Sequence, residues 1–142
     1  AFMSNPRLRI ALVDSDATRR MSIEKDLGHL GYHRVVPVDS LKVLITLLDN
    51  ARDVFDLLVI NEETVHAAGA QFKQMLEEYA CVRHSLIYQG VTLQAFPDNP
   101  VTAQRCGFIA SGVPDRSILA RVMDRVDVQI KQRSGRPLLE SN

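Results

Sequence analysis

The stretch Asp56-Leu57-Leu58-Val59-Ile60-Asn61 decides the fold class, because it places four aliphatic residues in a row between two polar ones. A short run without polar alternation is typical of a strand that is buried on both faces of a parallel sheet. The run Arg9-Ile10-Ala11-Leu12-Val13 has the same character and ends at the acidic turn Asp14-Ser15-Asp16. These two runs predict the central strands of an α/β sheet.

Three further strands are predicted outward from this centre, at Arg34–Val38, Ser85–Tyr88 and Gly107–Ser111. Pro37 predicts an edge position for the first of them, because proline cannot donate a hydrogen bond to a neighbouring strand. Between the strands, apolar residues recur at helical spacing. The four predicted helical stripes are Ile23, Leu27, Leu30; Leu41, Leu44, Ile45, Leu48; Val65, Ala68, Phe72, Leu76, Tyr79; and Leu119, Val122, Met123, Val126, Ile130.

Five strands alternating with helices predict a parallel α/β sheet that is covered on both faces. Either Asp39 or Ser40 is expected to cap the second helix. The stretch 91–105 should hold a helix as well, but Pro97 and Pro100 lie inside it. Because a proline disrupts a helix interior, we expect a short, broken or displaced helix there.

The composition fits one such domain and excludes several function classes. The chain has 142 residues, 46% of them hydrophobic and 24% charged, as in an ordinary globular domain. Seventeen basic residues balance seventeen acidic ones, so no overall positive field exists to attract nucleic acid or an anionic membrane. Cys81 and Cys106 form neither a disulfide framework nor a metal motif. We expect a reduced, cytoplasmic domain that binds no nucleic acid and no membrane.

The domain boundaries are predicted from the two ends of the chain. Residues 1–7 are interpreted as a cloning remnant before Met3 together with an N-terminal arm. The folded domain is predicted to cover residues 8–132. Residues 133–142 contain Ser134, Gly135 and Pro137 and are interpreted as a tail or the start of a linker.

The functional site is expected at the carboxyl ends of the strands, near the point where strand order reverses. The loops at these ends are Asp14–Asp16, Asn61–Glu63, Gln89-Gly90 and Ser111-Gly112. No glycine-rich phosphate loop is found in the sequence, which argues against a nucleotide-binding enzyme. The four histidines, at positions 29, 33, 66 and 84, lack the spacing of a helical metal pair.

From about Leu8 to Gln132 the chain resembles the receiver domain of two-component response regulators. The resemblance is carried by Ile10–Asp14, Leu27 with Gly31-Tyr32, Phe55–Ile60 and Gly107–Ile109, with Phe108 at the position of the family's switch aromatic. It implies a flavodoxin-like, three-layer, doubly wound sheet of five parallel strands in the order 2-1-3-4-5.

The positions that carry the family's chemistry have changed. Active receivers use an acidic pair, an aspartate, a Ser or Thr and a Lys at successive strand ends, which bind Mg²⁺ and transfer a phosphoryl group. At these positions the chain has Asp14 and Ser15 (followed by Asp16), Asn61, Gln89 and Ser111. Because an amide cannot replace a nucleophilic carboxylate, we expect no catalysis, cofactor or metal. The alternative is residual Mg²⁺ binding by Asp14, Asp16 and Glu62.

The resemblance and these losses together predict a pseudo-receiver that cannot be phosphorylated and is not an enzyme. It would be the N-terminal regulatory module of a bacterial transcriptional regulator or another multidomain signalling protein, whose output domain is expected to lie outside this chain. We expect it to act through a protein partner or as a homodimer, using the fifth predicted strand and the last helix as the family does. The candidate contact residues are Phe108, Ile109, Ile118, Leu119, Arg121, Val122 and Arg125.

Two alternatives remain open at this point. Asn61, Gln89 and Ser111 are all neutral, so the strand-end pocket could serve a ligand- or metal-sensing domain or a small enzyme. The last helix could also be a solvated, salt-bridged surface of a monomer, with Ile118 packed against the sheet.

Overall fold

The computed structural model describes residues 5–72, 74, 81–89, 101–104 and 107–140, of which 101–104 and 129–140 are described by their backbone alone. The strands are β1 (Ile10–Val13), β2 (Val35–Val38), β3 (Leu57–Asn61), β4 (Ser85–Tyr88), β5 (Val101–Gln104) and β6 (Gly107–Ala110). The helices are α1 (Ala17–His29), α2 (Leu41–Asp49), α3 (Glu62–Ala68) and α4 (Arg116–Glu140).

The five predicted strands form a parallel sheet in the predicted order. In the present numbering this order is β2-β1-β3-β4-β6, which confirms the order 2-1-3-4-5. Strand β2 lies at the edge, as Pro37 predicted, and Pro37 stands in register with Leu12. Every residue of β1 and β3 is buried, as expected from their uninterrupted apolar runs.

The stretch between β4 and β6 differs from its prediction. A helix was expected over 91–105, whereas Val101–Gln104 forms β5, which pairs antiparallel with β6 at the edge of the sheet. Two β-branched residues, Val101 and Thr102, begin this strand directly after Pro100. Such residues favour extended backbone, which explains the strand. Pro97 and Pro100 themselves lie outside the described residues.

The core consists of one apolar layer on each face of the sheet. On one face, Leu12, Val59, Leu86 and Phe108 belong to a buried cluster with residues of α1 and α4. The helical members of this cluster are Ile23, Leu27, Ile118, Leu119, Val122, Met123 and Val126. On the other face, strand residues cluster with Leu44 and Leu48 of α2 and Val65 of α3. The sheet is therefore covered on both sides, which gives three layers.

The helix ends follow from local hydrogen bonding. Ser40, one of the two predicted caps, accepts a hydrogen bond from the Val43 backbone nitrogen at 3.2 Å. After α1, Gly31 adopts a φ of 99°, which suits glycine at a helix end.

Two helices end at other residues than the sequence predicted. Helix α3 ends at Ala68 because Gly69 has a φ of 96°, and the chain is helical again at 70–72. The apolar stripe therefore does not lie on one continuous helix, and its members Leu76 and Tyr79 lie outside the described residues. Helix α4 continues to Glu140, through most of the segment 133–142 that was interpreted as a tail. Among the described helices, none is both long and apolar enough to cross a membrane.

A substitution at Gly107 tests how closely β4 and β6 pack. A Cβ atom at this position would lie 2.8 Å from Ser85 Oγ and 3.0 Å from the Ser85 carbonyl oxygen. We therefore expect Gly107→Ala to lower the free energy of unfolding by about 1–3 kcal/mol. Gly28→Ala is the control, because nothing lies within 4 Å of its added Cβ and alanine favours a helix. Urea denaturation that shows the same change for both variants would contradict the prediction.

Candidate functional site

Three neighbouring strand ends bring two predicted site residues, Asp14 and Asn61, together with Tyr88. Asp14 follows β1, Asn61 ends β3 and Tyr88 ends β4, and Asn61 stands in register with Tyr88. Asp14 and Tyr88 are 0% exposed and Asn61 is 1% exposed. These residues therefore form a buried polar cluster at the carboxyl edge of the sheet.

The carboxylate of Asp14 is the centre of this cluster. Its Oδ2 accepts hydrogen bonds from Arg19 Nε at 2.9 Å and from the Tyr88 hydroxyl at 2.5 Å. Its Oδ1 accepts hydrogen bonds from Arg19 Nη2 at 3.0 Å and from the Asp16 backbone nitrogen at 2.8 Å. A carboxylate offers about four acceptor positions, so these four donors use all of them.

Arg19 reaches Asp14 because of the way α1 begins. Asp16 caps the helix by accepting a hydrogen bond from the Arg19 backbone nitrogen at 2.9 Å. The guanidinium of Arg19 then extends back over the turn, and Arg20 Nη1 donates to the Asp14 carbonyl oxygen at 2.7 Å. Positive charges are unfavourable at a helix N-terminus. The carboxylates of Asp14 and Asp16 compensate for this by lying within ion-pair distance of Arg19.

The electrostatics fix the protonation states within the cluster. Burial tends to raise the pKa of Asp14, but hydrogen bonds from Arg19, Tyr88 and the Asp16 backbone, with the charge of Arg19, hold this pKa below its usual value. The hydrogen bond to Asp14 raises the pKa of Arg19. Burial and the hydrogen bond to Asp14 raise the pKa of Tyr88 far above its ordinary value. Asp14 and Arg19 therefore form a charged pair, and Tyr88 remains a hydroxyl donor.

The magnesium ion implied by the receiver resemblance does not fit these residues. Mg²⁺ requires oxygen ligands in a near-octahedral arrangement, yet every acceptor position of Asp14 already has a donor. Asp16 and Glu62 are exposed, and they form no cluster with Asp14: among the described residues, no three His, Cys, Asp or Glu side chains converge as a metal site requires. The geometry gives no support to the alternative of residual Mg²⁺ binding by Asp14, Asp16 and Glu62.

Asn61, at the position of the phosphorylated aspartate, acts as a helix cap. Its Oδ1 accepts a hydrogen bond from the Glu63 backbone nitrogen at 2.8 Å, and α3 begins at the next residue, Glu62. An Asn is well suited to this role. The side chain that would carry the phosphoryl group in an active receiver is therefore used to start a helix.

The other predicted site positions lie on the rim. Ser15, Gln89 and Ser111 are exposed at the same edge of the sheet. Phe108 is 5% exposed and belongs to the core cluster with α1 and α4. Around Asp14, the strand-end site is occupied by the side chains of Arg19 and Tyr88.

Sequence reasoning missed the two residues that complete the cluster. Arg19 was given no role in the predicted site, and Tyr88 was predicted only as the end of a strand. A usable signal existed for both: Arg19 is three residues after the acidic cap Asp16, and Tyr88 ends the strand predicted to neighbour the one that ends at Asn61.

The apolar contact surface predicted on the last helix is wrong in its central residues. Ile118, Leu119 and Val122 are 8%, 0% and 1% exposed and lie in the core. Both Ile118 and Leu119, in the first turns of this helix, belong to the buried core cluster. The wide apolar stripe of the helix therefore contributes to core packing. Arg121 and Arg125 are exposed, and Ile109 is half-buried.

The pH dependence of stability tests the ion pair. Because the pKa of Asp14 is lower in the folded chain, its stabilising contribution is present above the unfolded value of about 4 and is lost as the pH falls through the folded value. We expect Asp14→Asn to lower the free energy of unfolding by about 2–3 kcal/mol at neutral pH. The difference from wild type should shrink on acidification below about pH 4.

Urea denaturation across this pH range provides the measurement. Asp49→Asn is the control, because Asp49 is exposed on α2 and belongs neither to the strand-end cluster nor to α4. Its unfolding profile should follow that of wild type. A constant difference between Asp14→Asn and wild type at every pH would contradict the assignment.

Comparison with known proteins supports the fold. No family model matches the chain, and no curated protein matches its sequence. Among solved structures, the crystal structure of a response regulator receiver domain protein from Bacillus halodurans is similar, with a TM-score of 0.61 and 18% sequence identity. The match covers 84% of this chain and 96% of the other. The chain therefore has a receiver-like fold.

Proposed function

We propose that the chain is a receiver-like signalling domain that is not phosphorylated and acts through protein contacts. The observation that carries this proposal is the state of the strand-end cluster. Asp14 has all its acceptor positions filled by protein donors, and the phosphoacceptor position holds a helix-capping Asn61. The proposed role is regulatory, within a cytoplasmic bacterial transcriptional regulator or another multidomain signalling protein.

The chemistry of phosphoryl transfer supports the proposal. An aspartyl nucleophile must attack phosphorus while cations neutralise the charge that develops on the phosphoryl oxygens. Asn61 has no carboxylate oxygen to donate electrons, and Ser111 provides no charge where active receivers have a lysine. The guanidinium of Arg19 is engaged with Asp14 rather than directed to an incoming phosphoryl group. Each requirement of the reaction is therefore unmet.

The contact surface that we propose is polar. With Ile118, Leu119 and Val122 in the core, the exposed part of α4 presents Arg121, Asp124 and Arg125. Arg121 and Asp124 carry opposite charges three residues apart on this helix, so they can pair reciprocally with a second copy across a two-fold axis. We propose this part of α4 as the homodimer interface.

A small phosphodonor tests the chemical half of the proposal. Incubation with acetyl phosphate and Mg²⁺, followed by intact mass spectrometry, should give no hydroxylamine-sensitive phosphoryl adduct. Asn61→Asp restores the nucleophile, yet it should also remain unmodified, because Arg19 still engages Asp14. Phosphoryl uptake by the wild-type chain would contradict the proposal.

Sedimentation velocity at micromolar concentration tests the proposed interface. We expect a dimer that Arg121→Glu or Arg125→Glu weakens by about tenfold or more, because each reverses a charge at the interface. Lys42→Glu is the matched control, since Lys42 is exposed on α2 at the opposite face of the sheet. A monomer at every concentration, or equal weakening by all three variants, would contradict this assignment.

A further inference from the structure

We propose that Arg19 is a resident cation: its guanidinium permanently takes the place of a divalent metal at the strand end and excludes such ions. This inference deepens the proposed function and rests on it. It states what controls the cluster, which is a charge on the chain itself and not an ion taken from solution.

The first step of the argument is the distribution of donors around Asp14. Arg19 contributes two of the four, one to each carboxylate oxygen, in the two-pronged geometry that matches guanidinium to carboxylate. The other two come from Tyr88 and the Asp16 backbone. A metal ion could bind Asp14 only after at least one of these donors had left.

The second step is the charge balance. The two negative charges at the turn, on Asp14 and Asp16, are matched by the two positive charges of Arg19 and Arg20, and Tyr88 adds no charge. A divalent ion beside Asp14 would stand close to the guanidinium, and repulsion between like charges is several times stronger near a protein than in bulk water. Displacing Arg19 would relieve this repulsion but would cost both of its hydrogen bonds to the Asp14 carboxylate.

The third step is the way the pair is enclosed. The Asp14 side chain is 0% exposed, while that of Arg19 is 23% exposed, so the guanidinium lies between the carboxylate and solvent. The cluster also joins separate elements, because Asp14 follows β1, Arg19 belongs to α1 and Tyr88 ends β4. Arg19 thus holds the start of α1 against the sheet, a tie that an exchangeable ion would otherwise provide.

Paramagnetic broadening by Mn²⁺ tests the proposal in the intact chain. Mn²⁺ is titrated into the ¹⁵N-labelled protein, and the amide signals of Ser15–Arg20 are compared with those around Asp53, an exposed carboxylate. In wild type we expect no more broadening at the acidic turn than at Asp53. Arg19→Gln removes the guanidinium, so affinity for Mn²⁺ at the turn should rise by about tenfold or more.

Arg20→Gln is the matched control for charge. It removes the same charge from the neighbouring residue, but Arg20 contacts the Asp14 carbonyl oxygen and not its carboxylate. It should therefore retain wild-type behaviour. If Arg19→Gln does not fold, Arg19→Lys replaces it: the lysine keeps a charge but lacks the two-pronged donor, and a smaller rise in affinity is expected.

The outcomes separate this inference from the proposed function. Saturable Mn²⁺ binding at the acidic turn of wild type would overturn the resident cation, as would an unchanged affinity in a folded Arg19 variant or an equal rise in Arg20→Gln. The phosphodonor experiment could still find no phosphoryl uptake in that case, so the proposed function would survive. Phosphoryl uptake by a wild-type chain that binds no Mn²⁺ would overturn the proposed function alone.

Discussion

The carboxylate of Asp14 is fully buried where β1 leaves the sheet, and a buried charge without partners would be very costly. The surrounding structure meets this constraint. The cap at Asp16 starts α1 so that Arg19 comes within reach, and β4 ends on a tyrosine whose hydroxyl completes the set of donors. One hydrogen-bonded cluster, centred on the charged pair, therefore joins the beginning of α1, the end of β1 and the end of β4.

The chain combines a receiver-like fold with strand-end residues that differ from those that carry phosphoryl transfer in active receivers. The parallel sheet still brings its strand ends together, because that follows from the apolar runs of β1 and β3 and from the helices on both faces. The polar residues at those ends now serve structure, since Asp14 forms an internal ion pair and Asn61 caps α3. Under the proposed function, the domain would present a fixed surface to a partner without responding to ions or phosphoryl groups.

Much of the fold could be predicted from sequence because burial patterns are periodic. The continuous apolar runs predicted the strands, the resemblance to receiver domains implied their order in the parallel sheet, and Pro37 predicted the edge strand. Strand β5 was not predicted because Pro97 and Pro100 were interpreted as breaks in a helix, although Val101 and Thr102 favour extended backbone. The interface was misjudged because helical spacing cannot distinguish a stripe that covers the sheet from one that faces solvent, and Ile118 proved to be core.

The site was predicted only in part for a related reason. Position in the chain identified Asp14 and Asn61, but the pairing of Asp14 with Arg19 depends on a side chain that turns back over a helix cap. The central claim is that this guanidinium, and not a metal ion, neutralises Asp14. A crystal structure grown in millimolar MgCl₂ measures this directly. The account predicts electron density for Arg19 bridging both oxygens of Asp14, whereas a six-coordinate ion on Asp14 with Arg19 displaced would contradict it.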